Sequence, residues 1–329
     1  MENKKILTAI IITAVFGLTS LVCFASDLVI ESKNQSYSEA ESKIKFDGDV
    51  NVTIDDLHIV GETADVTVIN NEKLDTATFY DKPYAFENKA NKKREVKANI
   101  LKVSLIKKTV RSEGDTQTVI FDGKTPIAVV NADMQEYNTK TGVMIAEGNV
   151  TINYKSDIKA FSNNAEFKTD KNGDLKDIKL TGNAIVKNEE NEVQADKITY
   201  NAATNYFVAT GRTNTKAINK DGNVLTLYSD RQEFNQLTNF YNATGNVKIY
   251  YEDYFAQGPK VVIYPDKVTK KPGEIYFVGR SSISQGVRTI FADKIKMTTN
   301  PKNFKAEGNT RTIIKNINES HDSDMGLGL

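Results

Sequence analysis

The sequence predicts an all-β fold of about 18 stacked antiparallel strands built from repeated two-strand units. Three observations predict it. Glycines recur at fixed intervals, the residues around them alternate between apolar and polar, and the links between alternating stretches are short and polar. Alternation with period two gives an extended strand one apolar face. Short links favour antiparallel neighbours.

Composition narrows the class before any motif is read. The chain has 329 residues, 39% hydrophobic and 26% charged, which excludes disordered, collagen-like and polytopic membrane chains. Its 43 basic residues balance 43 acidic ones, so no bulk attraction to nucleic acid is expected.

The first element is a targeting segment. Lys4 and Lys5 precede an uncharged run from Ile6 to Ala25, and Cys23-Phe24-Ala25 places small residues at −3 and −1 before Ser26. Residues 1–25 therefore read as a secretory signal peptide cut after Ala25. Left uncut, the run is long enough to anchor the chain in the inner membrane. Lipidation at Cys23 is a weaker reading, because Val22 is a poor residue there. Cys23 is the only cysteine, so the exported chain has no disulfide, thiol nucleophile or cysteine zinc site. Residues 26–315 form the repeat domain, degenerate over 56–121, and residues 316–329 form a polar tail expected to be disordered.

Two phrases alternate through the repeat domain. The first runs small, acidic or amide, then toward an aromatic: Ala132-Asp133 to Tyr137, Ala195-Asp196 to Tyr200, Ser229-Asp230 to Phe234 and Ala292-Asp293 to Met297. The second centres on a glycine: Ala146-Glu147-Gly148-Asn149-Val150, Ala243-Thr244-Gly245-Asn246-Val247 and Ala306-Glu307-Gly308-Asn309-Thr310. From the first phrase's second residue to the glycine is 15 residues in six copies, such as 133–148 and 230–245, and 19 in two, 163–182 and 260–279. Successive glycines from Gly114 lie 34, 34, 29, 34, 34 and 29 residues apart. Around Gly48, Gly148, Gly182 and Gly245 apolar residues fall at −4, −2, +2 and +4, as in Met144, Ala146, Val150 and Ile152. A glycine recurring mid-strand marks a bend or bulge, so every strand is expected to crease at one level and give a curved or V-shaped stack.

Repeated Ala-Asp-x-x-x-Tyr followed by Ala-x-Gly-Asn-Val in an exported all-β chain resembles the LptA/OstA family of lipopolysaccharide-transport proteins. The match is best over 128–314, moderate over 28–54 and faint over 56–121. The resemblance implies an elongated, twisted, half-open β-jellyroll in the periplasm that shields lipid acyl chains. It also implies LptC-like and LptD-like partners of the same fold. The candidate lipid-binding residues are Phe46, Val50, Met144, Ala146, Val150, Ile152, Ile178, Leu180, Phe207, Tyr241, Val247, Ile249, Ile275, Phe277 and Phe304. The recurring small residues leave two readings open: interdigitation into a filled core, or a continuous cleft for acyl chains.

Charge and edges supply the remaining expectations. Nine basic residues fall between Lys89 and Arg111 against Glu95 alone, and Lys92, Lys93, Arg94 and Lys97 are candidate contacts for headgroup phosphates. The first and last strands offer open edges for strand addition, to homologous-fold partners or head-to-tail between copies. His58 and His321 are not in metal-ligand spacing, and no nucleophile elbow, phosphate loop or dinucleotide fingerprint occurs. No cofactor, metal, catalytic residue or nucleic-acid partner is expected. The competing readings are a structural or adhesive β-solenoid with a filled core, and a carbohydrate-active β-helix enzyme. No acid pair recurs to support the second.

Overall fold

The computed structural model describes residues 28–54, 56–69, 73–89, 92–155, 157–169, 175–218, 222–268, 272–299 and 302–315. The expected signal segment (1–25) and tail (316–329) lie outside the described residues. Within them the chain has 22 strands and no helix. They form two compact units, one of residues up to 189 with 194–207, the other of 190–193 with 208 onward.

The N-terminal unit begins with β1 (Leu28–Glu31), β2 (Asn34–Ser38), β3 (Lys43–Ile54) and β4 (Leu57–Ile69). It continues through β5 (Lys73–Tyr80), β6 (Tyr84–Lys89), β7 (Lys92–Lys97), β8 (Ile100–Ser104) and β9 (Thr109–Asp122). Then come β10 (Thr125–Asn138), β11 (Val143–Tyr154), β12 (Ile158–Thr169) and β13 (Leu175–Lys187). The division between units passes through β14 (Asn191–Asn201) and β15 (Tyr206–Ile218). The C-terminal unit continues with β16 (Val224–Asn235), β17 (Phe240–Tyr251), β18 (Tyr254–Pro265), β19 (Pro272–Gln285) and β20 (Arg288–Thr299). It ends with β21 (Lys302–Glu307) and β22 (Arg311–Ile314).

Within each unit, sequential strands pair antiparallel, as in β10–β11–β12–β13 and β16–β17–β18–β19–β20. At four places two short strands share one neighbour end to end. These are β1 and β2 on β3, β5 and β6 on β4, β7 and β8 on β9, and β21 and β22 on β20. The 22 strands therefore make 18 strand-widths, the number the repeats predict. Two of the four split layers lie in 73–104, where the repeated phrases fade. Pairing continues through that region, but the corner is a chain turn. Asp81 and Lys82 make it at φ 64° and 62°, followed by buried Pro83. No mid-strand glycine is needed to bend a strand that has been cut in two.

Elsewhere the crease is a β-bulge. Gly148 sits at φ +75° and Asn149 at +47°, and the β11–β12 register skips between Glu147 and Val150. Gly148 is a glycine for two reasons: its φ is left-handed, and a Cβ there would collide with the Asp133 carboxylate. Gly245 faces Asp230 in the same way, as do Gly182 with Asn163 and Gly308 with Asp293. These contacts explain the fixed spacing between the two phrases, since the acid or amide of the first packs against the glycine of the second. The following asparagine closes a clasp: Asn149 Nδ2 donates to Asp133 Oδ2 at 3.0 Å, Asn246 to Asp230 at 2.9 Å and Asn309 to Asp293 at 2.7 Å.

The bulge folds each strand so that its two halves line one interior. In the N-terminal unit, Phe46 before the Gly48 crease shares a buried cluster with Val50 and Val52 after it, and with Ile59, Phe79 and Leu101. Burial of each such large side chain contributes about 1.5–3 kcal/mol. Across the same fold, Thr118 Oγ1 beyond the Gly114 crease donates to Gln135 Oε1 before the next one, at 2.7 Å.

Candidate functional site

Inward positions alternate with outward ones along strands such as β3, β11 and β12. Twelve of the fifteen groove candidates are buried: Phe46, Val50, Met144, Ala146, Val150, Ile152, Ile178, Leu180, Tyr241, Val247, Ile249 and Phe277. Ile275 and Phe207 are half-buried. Phe304 is 39% exposed, because it lies on β21 with no strand beyond it among the described residues. The Arg288 guanidinium lies 5.1 Å from its ring centroid, reaching across from the other half of β20. The small inward residues Ala146, Ala184, Ala209 and Ala243 are fully covered and Ser281 is buried. The lining is thus apolar in both units, and its last ring is open to solvent.

The four basic headgroup candidates do not share a face. Lys93 and Lys97 lie on the outside of β7, over the rings of Phe86 and Tyr84 at 5.7 and 5.9 Å, and Lys93 pairs with Glu95. Arg94 points inward, its guanidinium 4.6 Å from the Tyr137 ring centroid and cross-strand from buried Glu87. Lys92 sits at the end of β7 opposite Lys89 and Asp122. Further along the basic run, Lys102 and Arg111 both bond Glu113 at 2.7 Å. The run is therefore divided between two faces and partly neutralised by acids.

Arg94 and Glu87 help line a cavity of about 70 Å3 with Leu57, Val96, Val110, Gln135, Tyr137 and Met144. Burial pushes the Tyr137 phenol up to about 12, against the pull of Arg94 in the other direction. Burial likewise pushes up Tyr241. No group of three or more His, Cys, Asp or Glu close enough to hold a metal occurs among the described residues. His58 stacks on Phe86 at 5.0 Å; His321 lies outside the described residues.

The sequence reading missed a polar knot inside the apolar lining. Gln135 Nε2 donates to Thr116 Oγ1 at 2.8 Å and to Val130 O at 3.1 Å, and Thr116 Oγ1 donates to Ala132 O. The C-terminal unit repeats it: Thr215 Oγ1 donates to Gln232 Oε1, Gln232 Nε2 to Leu227 O, and Thr213 Oγ1 to Ser229 O. The signal was present. Ile198 and Ile295 follow Ala195 and Ala292 by three residues, and at that same offset Ala132 and Ser229 are followed by glutamine.

Residues 29–120 and 129–226, 190 of the 329, match the family model described as LptA/(LptD N-terminal domain) LPS transport protein. Among solved structures the chain is similar to LptH of Pseudomonas aeruginosa, described as the LptA homologous periplasmic component of the conserved lipopolysaccharide transport device. The identity is 13% and the TM-score 0.33, over 37% of this chain and 82% of that one. No curated protein matches the sequence.

Proposed function

The chain belongs to the LptA/LptD N-terminal family of lipopolysaccharide-transport proteins, and on that premise we propose that it is a periplasmic bridge that shields lipopolysaccharide acyl chains against its inward apolar face. The observation that carries this reading is the lining itself, apolar over most strands apart from the knots at Gln135 and Gln232, with the exposed ring of Phe304 on β21. Shielding needs no catalyst, and the reading assigns none.

Where Arg94, Tyr137 and Met144 line it, the interior holds a cavity of about 70 Å3, smaller than ordinary ligand sites of about 300–1,000 Å3. An acyl chain entering there must part the two halves of the creased strands. Apolar walls make that exchange cheap, because surfaces leaving one another remain covered by the lipid. Each methylene taken out of water contributes about 0.8 kcal/mol.

Edge addition completes the proposal. β2 is exposed over residues 34–37, and β21 and β22 have no outer neighbour among the described residues. Strand pairing at these edges would join the chain to LptC-like and LptD-like partners or to further copies of itself. Export by the N-terminal segment places it in the periplasm.

The test is photo-crosslinking in cells that make lipopolysaccharide. A light-activated residue replaces Met144 or Phe304, with Lys216 as the outward control. Adducts at the inward sites alone support the conduit. None, in an exported and folded protein, overturns it and favours the filled-core solenoid, which the tight burial of Phe79, Phe167 and Phe277 would suit. A proline at Ser36 or Thr312 is expected to abolish edge-to-edge association in light scattering.

A further inference from the structure

The outer face of the C-terminal unit carries a cleft that the groove reading does not use. It measures about 720 Å3 and is lined by Arg212 and Asn214 of β15, Tyr228 and Asp230 of β16, and Lys248 and Tyr250 of β17. That volume falls in the range of small-ligand sites. Tyr228 and Tyr250 are 42% and 45% exposed, their rings edge-to-face at 6.1 Å, and Phe255 backs Tyr250 at 4.9 Å. Asp230 bonds Asn246 and keeps its charge, so the lining carries two cations, Arg212 and Lys248, against one carboxylate.

Three observations mark it as a binding site rather than ordinary surface. First, the repeat supplies its own control 97 residues earlier. There Tyr228, Lys248 and Tyr250 correspond to Asn131, Thr151 and Asn153. Those positions carry a closed polar ladder: Gln117 Nε2 donates to Asn131 Oδ1, and Asn131 Nδ2 to Thr151 Oγ1. Second, Asn214, the counterpart of Gln117, has a buried Oδ1 that accepts no hydrogen bond from the protein. Native structures rarely leave such an acceptor without a partner. Third, Arg212 holds φ +45° directly after a crease glycine, where Asp49, Asp115, Asn149, Asn183, Asn246 and Asn309 stand in the other left-handed copies. Asn and Asp suit that backbone and arginine does not.

We propose that this cleft binds an anionic sugar. A pyranose ring packs on the Tyr228 and Tyr250 faces, its acidic or phosphoryl group lies toward Arg212 and Lys248, and a hydroxyl donates to Asn214 Oδ1. Tyrosine offers an apolar face with little side-chain entropy to lose, and the cations attract the acid. The site is independent of the acyl groove. It would take the same chemistry from a lipopolysaccharide headgroup or from an unlipidated acidic polysaccharide.

The experiment is calorimetric titration of the purified protein with deacylated, phosphorylated core oligosaccharide. Parallel arms use a bacterial acidic capsular oligosaccharide, neutral maltoheptaose and inorganic phosphate. Saturable binding is expected for one or both acidic sugars, identifying the source, with at least tenfold weaker binding of maltoheptaose and of phosphate. Lys248→Gln, Arg212→Gln and the double variant Tyr228→Ala/Tyr250→Ala should each weaken binding at least tenfold, while a melting curve reports the fold. Absence of binding at millimolar sugar overturns the proposal. So does affinity unchanged in a folded variant, or phosphate binding as tightly as the sugars. Because no probe carries an acyl chain, failure here leaves the groove reading standing, and failure of the crosslinking leaves this one.

Discussion

The two units have nearly the same inside and different outsides. Three glycine intervals of 34, 34 and 29 residues bring the pattern back into register after 97. At that offset Gln135 and Gln232 make the same buried bonds, to a threonine hydroxyl and to a backbone carbonyl five residues earlier. The clasps Asp133–Asn149 and Asp230–Asn246 coincide as well. Directly outside them the polar ladder on Asn131 gives way to the tyrosines and cations around Tyr228. Interior positions must fit a crease and a facing half-strand, so few substitutions are tolerated there. An outward position answers only to solvent or to a ligand, and a difference confined to it is more informative about binding.

The largest effect that would break the comparison is at the crease. Gly148→Ala and Gly245→Ala each force a left-handed alanine and drive its Cβ into a clasp carboxylate. Each should lose about 2–4 kcal/mol in urea unfolding. Gly123, at φ +59° with nothing near its missing Cβ, is the control; Gly123→Ala should lose about 1 kcal/mol. Equal losses at Gly148 and Gly123 would show that backbone strain alone matters and that the clasp contact is incidental.

Next is the polar knot. Gln135→Leu leaves the Thr118 hydroxyl without its acceptor inside an apolar wall, and Gln232→Leu does the same to Thr215. A loss of about 1–3 kcal/mol is expected in each, and similar in both. A large effect in one unit only would mean that the shared geometry hides different roles.

How legible this was in the sequence follows from the same distinction. The repeat period, the creases, the inward alternation and the number of strand-widths could all be read, because each is a local periodicity fixed by backbone geometry. The clasp could be read only as a spacing. Its partners are 15 or 19 residues apart and meet only when neighbouring strands pair. The split layers over 73–104 were hidden, since a corner made by a turn leaves no glycine phrase. Composition groups Arg94 with Lys93 and Lys97, whereas strand alternation sends it to the opposite face. Gln135 is hidden because it occupies a slot of the phrase that is apolar in other copies, Ile198 and Ile295. The outer cleft was invisible, since its residues come from three strands and differ from the repeat rather than conform to it.

Alkaline pH tests the interior of the N-terminal unit more finely. The Tyr137 phenol is held up to about 12 by burial, above its ordinary value near 10. Below pH 10 both folded and unfolded chains carry the proton and stability is unaffected. Between about pH 10 and 12 the unfolded chain releases it first, so stability falls as pH rises, by up to about 2–3 kcal/mol. Tyr137→Phe should flatten this part of the unfolding profile. Tyr241, raised by burial in the C-terminal unit, should leave a parallel residue of the effect in that variant.

The smallest expected stability change comes from exchanging the outer faces. Tyr228→Asn, Lys248→Thr and Tyr250→Asn together give the C-terminal unit the side chains of Asn131, Thr151 and Asn153. The exchange loses one edge-to-face aromatic pair, worth about 0.5–1.5 kcal/mol. It gains the means for a Thr–Asn cross-strand hydrogen bond like that between Asn131 and Thr151, so the net should be within about 1 kcal/mol. Acidic-sugar binding should nevertheless be abolished, and acyl crosslinking at Met144 retained. A variant that melts with the parent but no longer takes up the sugar would separate what the outer residues do for a ligand from what they do for the fold. If binding survived the exchange, the ligand would have to be held by the shared scaffold, and the contrast between the two outer faces would carry no functional meaning.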